Sequence, residues 1–203
     1  RYRRLRELDL WPYLRDSWWR LTDLGGDQQI DRTAVFTALA NGAWPELRVL
    51  TARPDTNAER DLLLDGVLRC PSLQQLHTGS LTDAAVQKLL GCQELLKISN
   101  GRSWDHRHSF PELAPDPAAV ATGPGCQKLQ HLILDRCPIH VAMLDVAKTC
   151  RRLRVLSLRG CENVTAESVA AIASGCPQLE YLNLNGCKNV GDVAIAAIVQ
   201  GCP

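Results

Sequence analysis

Residues 150–175 and 176–201 superimpose position for position as two copies, each 26 residues long. The first reads C-R-R-L-R-V-L-S-L-R-G-C-E-N-V-T-A-E-S-V-A-A-I-A-S-G and the second C-P-Q-L-E-Y-L-N-L-N-G-C-K-N-V-G-D-V-A-I-A-A-I-V-Q-G. Within each copy the apolar period changes midway. Leu153, Leu156 and Leu158, like Leu179, Leu182 and Leu184, end in an L-x-L alternation expected of a short strand with one buried face. Val169, Ile172 and Ala173, like Ile195, Ile198 and Val199, have the three-and-four spacing of a helix with one buried stripe. A unit of one strand and one helix is too small to bury its own leucines, so the copies have to stack, with Leu182 expected between neighbours on both sides.

The register extends backward through most of the chain. Cys126 to Thr149 is a 24-residue copy with Leu129, Leu132 and Leu134, and Cys70 to Gly91 is a 22-residue copy with Leu73 and Leu76. Trp44 to Arg69 is a further copy, with Trp44 in place of the opening cysteine, and Leu5, Leu8 and Leu10 trace one more strand. In Leu81-Thr82-Asp83-Ala84, Thr82 is placed to cap a helix start and Asp83 suits the positive end of its dipole. The pattern C-x-x-L-x-x-L-x-L-x-x-C, followed by an apolar-Thr-Asp step into a helix, resembles the cysteine-containing leucine-rich-repeat subfamily. That resemblance, and a period of 22 to 26 residues, imply an α/β horseshoe of about seven repeats, with a parallel sheet on its concave face and helices on its convex face.

The whole of 1–203 reads as a single domain, with two repeats that exceed the standard length. Residues 1–43 form an irregular first repeat that holds Trp11, Trp18 and Trp19 ahead of a helix expected near Asp31. Residues 44–203 are regular except for an insertion at 101–124, in a repeat of 34 residues from Cys92 to Gly125. Pro111 to Pro124 contains four prolines, which argues against a regular helix there. Insertions in solenoids map to loops, often on the binding side. Gly201-Cys202-Pro203 repeats the opening step of the earlier copies, and the sequence is expected to be part of a longer chain.

The 23 basic and 22 acidic side chains nearly cancel, so neither nucleic acid nor an anionic membrane is an expected partner. The longest uncharged apolar run, Val193 to Val199, is far short of the roughly 20 residues of a membrane span. Nine cysteines follow the repeat: Cys70, Cys92, Cys126, Cys150, Cys176 and Cys202 open copies, and Cys137, Cys161 and Cys187 follow the strands. Inward cysteines act as small apolar fillers. Stacked strands about 4.8 Å apart would also allow bridges, so the spacing leaves both states open. The family resemblance implies reduced thiols and an intracellular, cytoplasmic protein.

Asp105-His106-Arg107-His108 offers at most half of a metal site, because two histidines in one loop do not supply the converging ligands a metal needs. No glycine-rich phosphate loop, H-E-x-x-H helix or G-x-S-x-G elbow occurs, so no cofactor, metal or enzymatic activity is expected. Arg151, Arg152, Arg154 and Arg159 make the densest positive group. It reads as a solvated face or as a contact for an acidic partner segment.

If Leu182 and Leu184 point inward, then Tyr181, Asn183 and Asn185 lie on the concave face, since strand side chains alternate. The same register selects Val155, Ser157 and Arg159; His131, Ile133 and Asp135; Lys97 and Ser99; Gln75 and His77; Thr51 and Arg53; and Glu7 and Asp9. With Arg102, Trp104, Arg107 and Phe110 of the insertion, these residues form the expected protein-binding surface, because aromatic and arginine side chains are the types enriched at hot spots. The resembled subfamily implies a substrate-recognition horseshoe of an F-box-type ubiquitin-ligase receptor. The Skp-type adaptor and cullin would bind through an F-box upstream, for which Leu10-Trp11-Pro12 is no substitute. The same subfamily implies, as an alternative, a fixed structural or assembly subunit of an axonemal or mitochondrial complex.

Overall fold

The leucines of successive copies stand side by side. In the computed structural model, which describes residues 5–10, 32–100 and 126–201, seven strands form one parallel sheet in sequence order. They are β1 (Glu7–Leu10), β2 (Val49–Ala52), β3 (Gln75–His77), β4 (Lys97–Ser99), β5 (His131–Ile133), β6 (Val155–Ser157) and β7 (Tyr181–Asn183). Six helices lie on the other side: α1 (Arg32–Ala40), α2 (Asn57–Leu68), α3 (Asp83–Leu89), α4 (Ala142–Thr149), α5 (Ala166–Gly175) and α6 (Asp192–Gly201). Each helix packs on the next, and the whole is an α/β leucine-rich-repeat solenoid.

One row of apolar side chains crosses the entire sheet. Leu8 pairs with Leu50, Leu50 with Leu76, Leu76 with Ile98, Ile98 with Leu132, Leu132 with Leu156 and Leu156 with Leu182. From Leu50 to Leu156 every member is at most 1% exposed. Removing such a side chain from water is worth about 2 kcal/mol, so this row and the helices over it hold the repeats together. Strands β4 and β5 are direct neighbours, so the sheet continues unbroken past the insertion. Asn100 pins that junction: its backbone N–H donates to the Ile133 carbonyl at 3.0 Å, and its side-chain amide donates to the Asp135 carbonyl and to Cys137 Sγ.

Two expectations are corrected at the β7–α6 end. Leu182 does not have neighbours on both sides, since β7 pairs only with β6 among the described residues, and Leu182 and Leu184 are half-buried. The helical stripe of the second copy is likewise not closed. Ile195 is 52% and Val199 75% exposed, while their counterparts Val169 and Ala173 are buried. Among the described residues α5 packs between α4 and α6, and α6 packs on α5 alone.

Helix starts follow local chemistry. Thr82 Oγ1 accepts from the Ala85 N–H, and Thr56 with Glu59, like Thr165 with Ser168, forms a reciprocal capping box. Helix α4 has no side-chain cap of its own. Instead Asp83 Oδ1, at the start of α3, accepts from the backbone N–H groups of His140 and Ala142 at 2.8 and 2.9 Å. Close helix contacts rest on three glycines, among them Gly201 of α6, where a β-carbon would meet the Ala173 carbonyl of α5. A β-carbon on Gly66 would collide with Leu39 of α1, and one on Gly175 with the Ala147 carbonyl of α4.

The eight cysteines among the described residues are free thiols, seven of them buried, with Cys92 half-buried. Four of them serve as internal donors that tie one repeat to the one before, while Cys137 Sγ accepts from the Leu81 N–H and the Asn100 amide. Cys126 Sγ donates to the Leu89 and Cys92 carbonyls, Cys161 to Leu134 and Cys187 to Leu158, while Cys70 reaches the Trp44 carbonyl at 3.6 Å. Burial pushes Cys70, Cys92 and Cys150 up to about 11 and Cys161 up to about 12, which leaves these thiols protonated and unreactive at neutral pH.

The difference between interior and edge gives a direct check on the register. Leu156→Ala, between Leu132 and Leu182, is expected to cost about 2–5 kcal/mol in denaturant unfolding. Leu182→Ala on β7 should cost clearly less, and Asn183→Ala on the opposite face should stay within about 0.5 kcal/mol.

Candidate protein-interaction face

The face opposite the leucine row carries two levels of side chains. One runs Val49, Gln75, Lys97, His131, Val155 and Tyr181, and the other Thr51, His77, Ser99, Ile133, Ser157 and Asn183. The register therefore unites the strand residues singled out from sequence into two straight rows. It adds Val49, which the same alternation marks. Arg53, Asp135, Arg159 and Asn185 follow their strands and form the rim at the C-terminal ends. Arg102, Trp104, Arg107 and Phe110 lie outside the described residues.

Sharing a face does not make these side chains open. His77, Ser99, His131, Ile133, Asp135, Val155 and Ser157 are at most 4% exposed, which corrects the expectation that all of them are presented to solvent. Lateral crowding is one cause, because equivalent side chains on adjacent strands stand only about 4.8 Å apart. Mutual bonding is another. His77 Nδ1 and Ser99 Oγ lie 2.6 Å apart, and the Ser157 hydroxyl donates to Asp135 Oδ1 at 2.6 Å. Gln75, Lys97, Tyr181 and Asn183 are half-buried, while Arg53, Arg159 and Asn185 are exposed. Arg53, His77, Lys97, His131 and Tyr181 are each engaged in at least one further bonding, ring or electrostatic contact.

The polar groups along the middle of this face are held away from their charged forms. Burial, with help from the Lys97 charge, lowers His77 from 6.5 to about 4. Burial, then Lys97 and Arg154, against the opposing pull of Glu180, lowers His131 to about 4. Burial also lowers Lys97. Both imidazoles are thus neutral at physiological pH, and they stand on the strands that flank the Lys97 strand.

The arginine group read from sequence is split by the fold. Arg154 is held by Glu180 through a two-pronged pair, Nε to Oε1 at 2.7 Å and Nη2 to Oε2 at 2.9 Å. Lys128 with Glu94 and Lys188 with Glu162 make equivalent links between neighbouring repeats. Exposed pairs of this kind contribute about 0–1 kcal/mol each and serve mainly to fix alignment. Arg159 leaves the group for the rim, where its backbone carbonyl accepts from the N–H of Arg136, a residue that the strand alternation does not select. A signal for Arg136 exists in the sequence: it occupies the position of Gly160 and Gly186 in the aligned copies.

Among the described residues no three His, Cys, Asp or Glu side chains are grouped to hold a metal, and no helix is long and apolar enough to cross a membrane. The Asp105-to-His108 cluster lies outside the described residues.

Residues 175–199 match a family described as Leucine Rich repeat. A search of curated proteins gives no match. Among solved structures, the chain is similar to one in "Crystal structure of Rad7 and Elc1 complex in yeast", with 19% identity, a TM-score of 0.48, and coverage of 87% of this chain and 46% of that one. This chain thus spans less than half the length of that one.

The two buried histidines give the face a pH signature. Between their lowered value of about 4 and the ordinary 6.5, the unfolded chain binds more protons than the folded one. Their contribution to stability is therefore complete above pH 6.5 and is lost as pH falls toward 4. The melting temperature is expected to be lower at about pH 4.5 than at about pH 7 by roughly 5 °C or more. Replacing both histidines with Asn should flatten the profile in that window.

Proposed function

We propose that this solenoid is a non-enzymatic protein-recognition module, and that it is the substrate-recognition part of an F-box-type ubiquitin-ligase receptor. The observation that carries the broader reading is the continuous seven-stranded face with an exposed polar rim. Such a surface suits a broad macromolecular contact. The finer reading is supported by the thiol ladder, whose cysteines occupy the two positions of the cysteine-containing repeat pattern.

The binding surface comprises the exposed rim residues Arg53, Arg159 and Asn185, the half-buried Gln75, Lys97, Tyr181 and Asn183, and the insertion residues Arg102, Trp104, Arg107 and Phe110. Closed side chains such as His131 and Val155 shape the floor of this face and support the residues around it.

Affinity purification of the full-length protein, followed by mass spectrometry, tests both levels. A Skp-type adaptor and a cullin should co-purify, together with a client that is lost on combining Tyr181→Ala with Asn185→Ala. Trp104→Ala with Arg107→Ala should weaken the client at least tenfold, about 1.4 kcal/mol, with the melting temperature nearly unchanged. Recovery of a stoichiometric structural assembly without a cullin would overturn the ligase reading, and a client indifferent to both double variants would overturn the choice of surface.

A further inference from the structure

The rim where β5, β6 and β7 end carries a feature that the repeat pattern does not require. Arg136, Gly160 and Gly186 are equivalent positions of three consecutive repeats, and all three have a left-handed backbone, with φ of 56°, 71° and 78°. Glycine adopts that conformation freely, whereas a residue with a β-carbon is strained there. Arg136 is the one non-glycine with positive φ among the described residues. An exposed side chain kept at a strained position, where the next two repeats use glycine, points to a use for the side chain itself.

The surroundings indicate what that use is. The Arg136 N–H donates to the Arg159 carbonyl at 2.7 Å, so the two arginines are backbone neighbours, and both are exposed. Neither guanidinium makes an ion pair or hydrogen bond among the described residues, unlike Arg154, Lys128 and Lys188, which are all held by glutamates. The floor beside them is bare backbone. A β-carbon on Gly160 would meet Arg136 Cγ at 3.0 Å, and one on Gly186 would meet the Gly160 Cα at 3.5 Å. Glycine at both places therefore leaves room for the Arg136 stem and an open ledge next to it. Beneath lies Asp135, buried, its carboxylate accepting from the Ser157 hydroxyl and the Arg159 N–H.

We infer that Arg136 and Arg159, over the Gly160–Gly186 ledge, receive a carboxylate side chain from an acidic segment of the protein partner. Guanidinium forks pair with carboxylates through two parallel hydrogen bonds, and a side chain approaching over glycine meets no β-carbon. The Asp135 carboxylate offsets one of the two positive charges, and the remaining single charge matches a carboxylate better than a doubly charged phosphate. This inference rests on the protein-recognition reading above and specifies the chemistry of the partner.

The test uses nuclear magnetic resonance of the isotope-labelled chain, titrated at low salt with a capped peptide of alternating Glu and Ser. A Gln-for-Glu peptide and a phosphoserine peptide serve as comparisons. The amides of Arg136, Arg159, Gly160 and Gly186 should shift with the Glu peptide and not with the Gln peptide. Arg136→Gly and Arg159→Gln should each weaken binding at least fivefold, while Arg69→Gln, at an exposed arginine on α2's C-terminal side, leaves it unchanged. Arg136→Gly relieves the strained backbone, so its melting temperature should equal or exceed that of the parent. The inference is overturned if the Glu peptide leaves these amides unmoved or shifts them equally in the variants, if the phosphoserine peptide binds more than tenfold tighter, or if Arg136→Gly lowers the melting temperature while Arg159→Gln binds normally. If the peptide fails here but Tyr181→Ala with Asn185→Ala still releases a cellular client, the recognition module stands and only this site falls.

Discussion

The structure depends on burial that no single repeat can achieve. A strand of three or four residues and a helix of seven to twelve leave their leucines half covered; only the repeat on either side completes the seal. The row from Leu50 to Leu156 is closed to water because each leucine has a neighbour on both flanks. At β7 and α6 Leu182 and Leu184 are half-buried and Ile195 and Val199 exposed, whereas Leu8 and Leu10 of β1 are buried. Other features serve this stacking. Cysteine thiols bond to carbonyls of the preceding repeat, Asp83 caps the helix of the next one, and Gly66 and Gly175 let helices approach to backbone distance.

That arrangement also decides where recognition can occur. Packing a strand every 4.8 Å or so brings equivalent side chains into contact across the sheet, and the middle of the face closes on itself through the His77–Ser99 and Asp135–Ser157 pairs. Of the rim side chains that follow the strands, Asp135 is buried and the others escape this crowding. Arg53, Arg136, Arg159 and Asn185 are exposed because the chain turns there, and long side chains at a turn are not stacked between neighbours.

Periodicity was a reliable guide wherever each position has a fixed role. The number of strands, the leucine row, the inward cysteines and the Thr82 cap all follow from spacing, since the 26-residue copies carry both periods openly. What spacing does not carry is the identity of neighbours. Nothing in Y-L-N-L tells whether a further strand lies beside it, and among the described residues Leu182 is half-buried and Ile195 and Val199 are exposed. Alternation assigns His131 and Val155 to a face without revealing that the face is closed around them. Arg136 was legible only by aligning repeats and asking why one of three equivalent glycine positions holds an arginine. The contact of Asp83 with α4 is not visible in sequence, because the partner is a backbone N–H 57 residues away.

Native-state hydrogen exchange measured residue by residue tests most directly the claim that stability comes from neighbours. Backbone amides that bridge interior strands, such as Gln74 to Arg48, Leu96 to Gln74 and Arg154 to Gln130, should exchange slowest and as one group. The amides of α6, which among the described residues packs on α5 alone, should exchange well before them. Equal protection of α6 and the interior strands, or interior repeats that open independently of one another, would contradict the account.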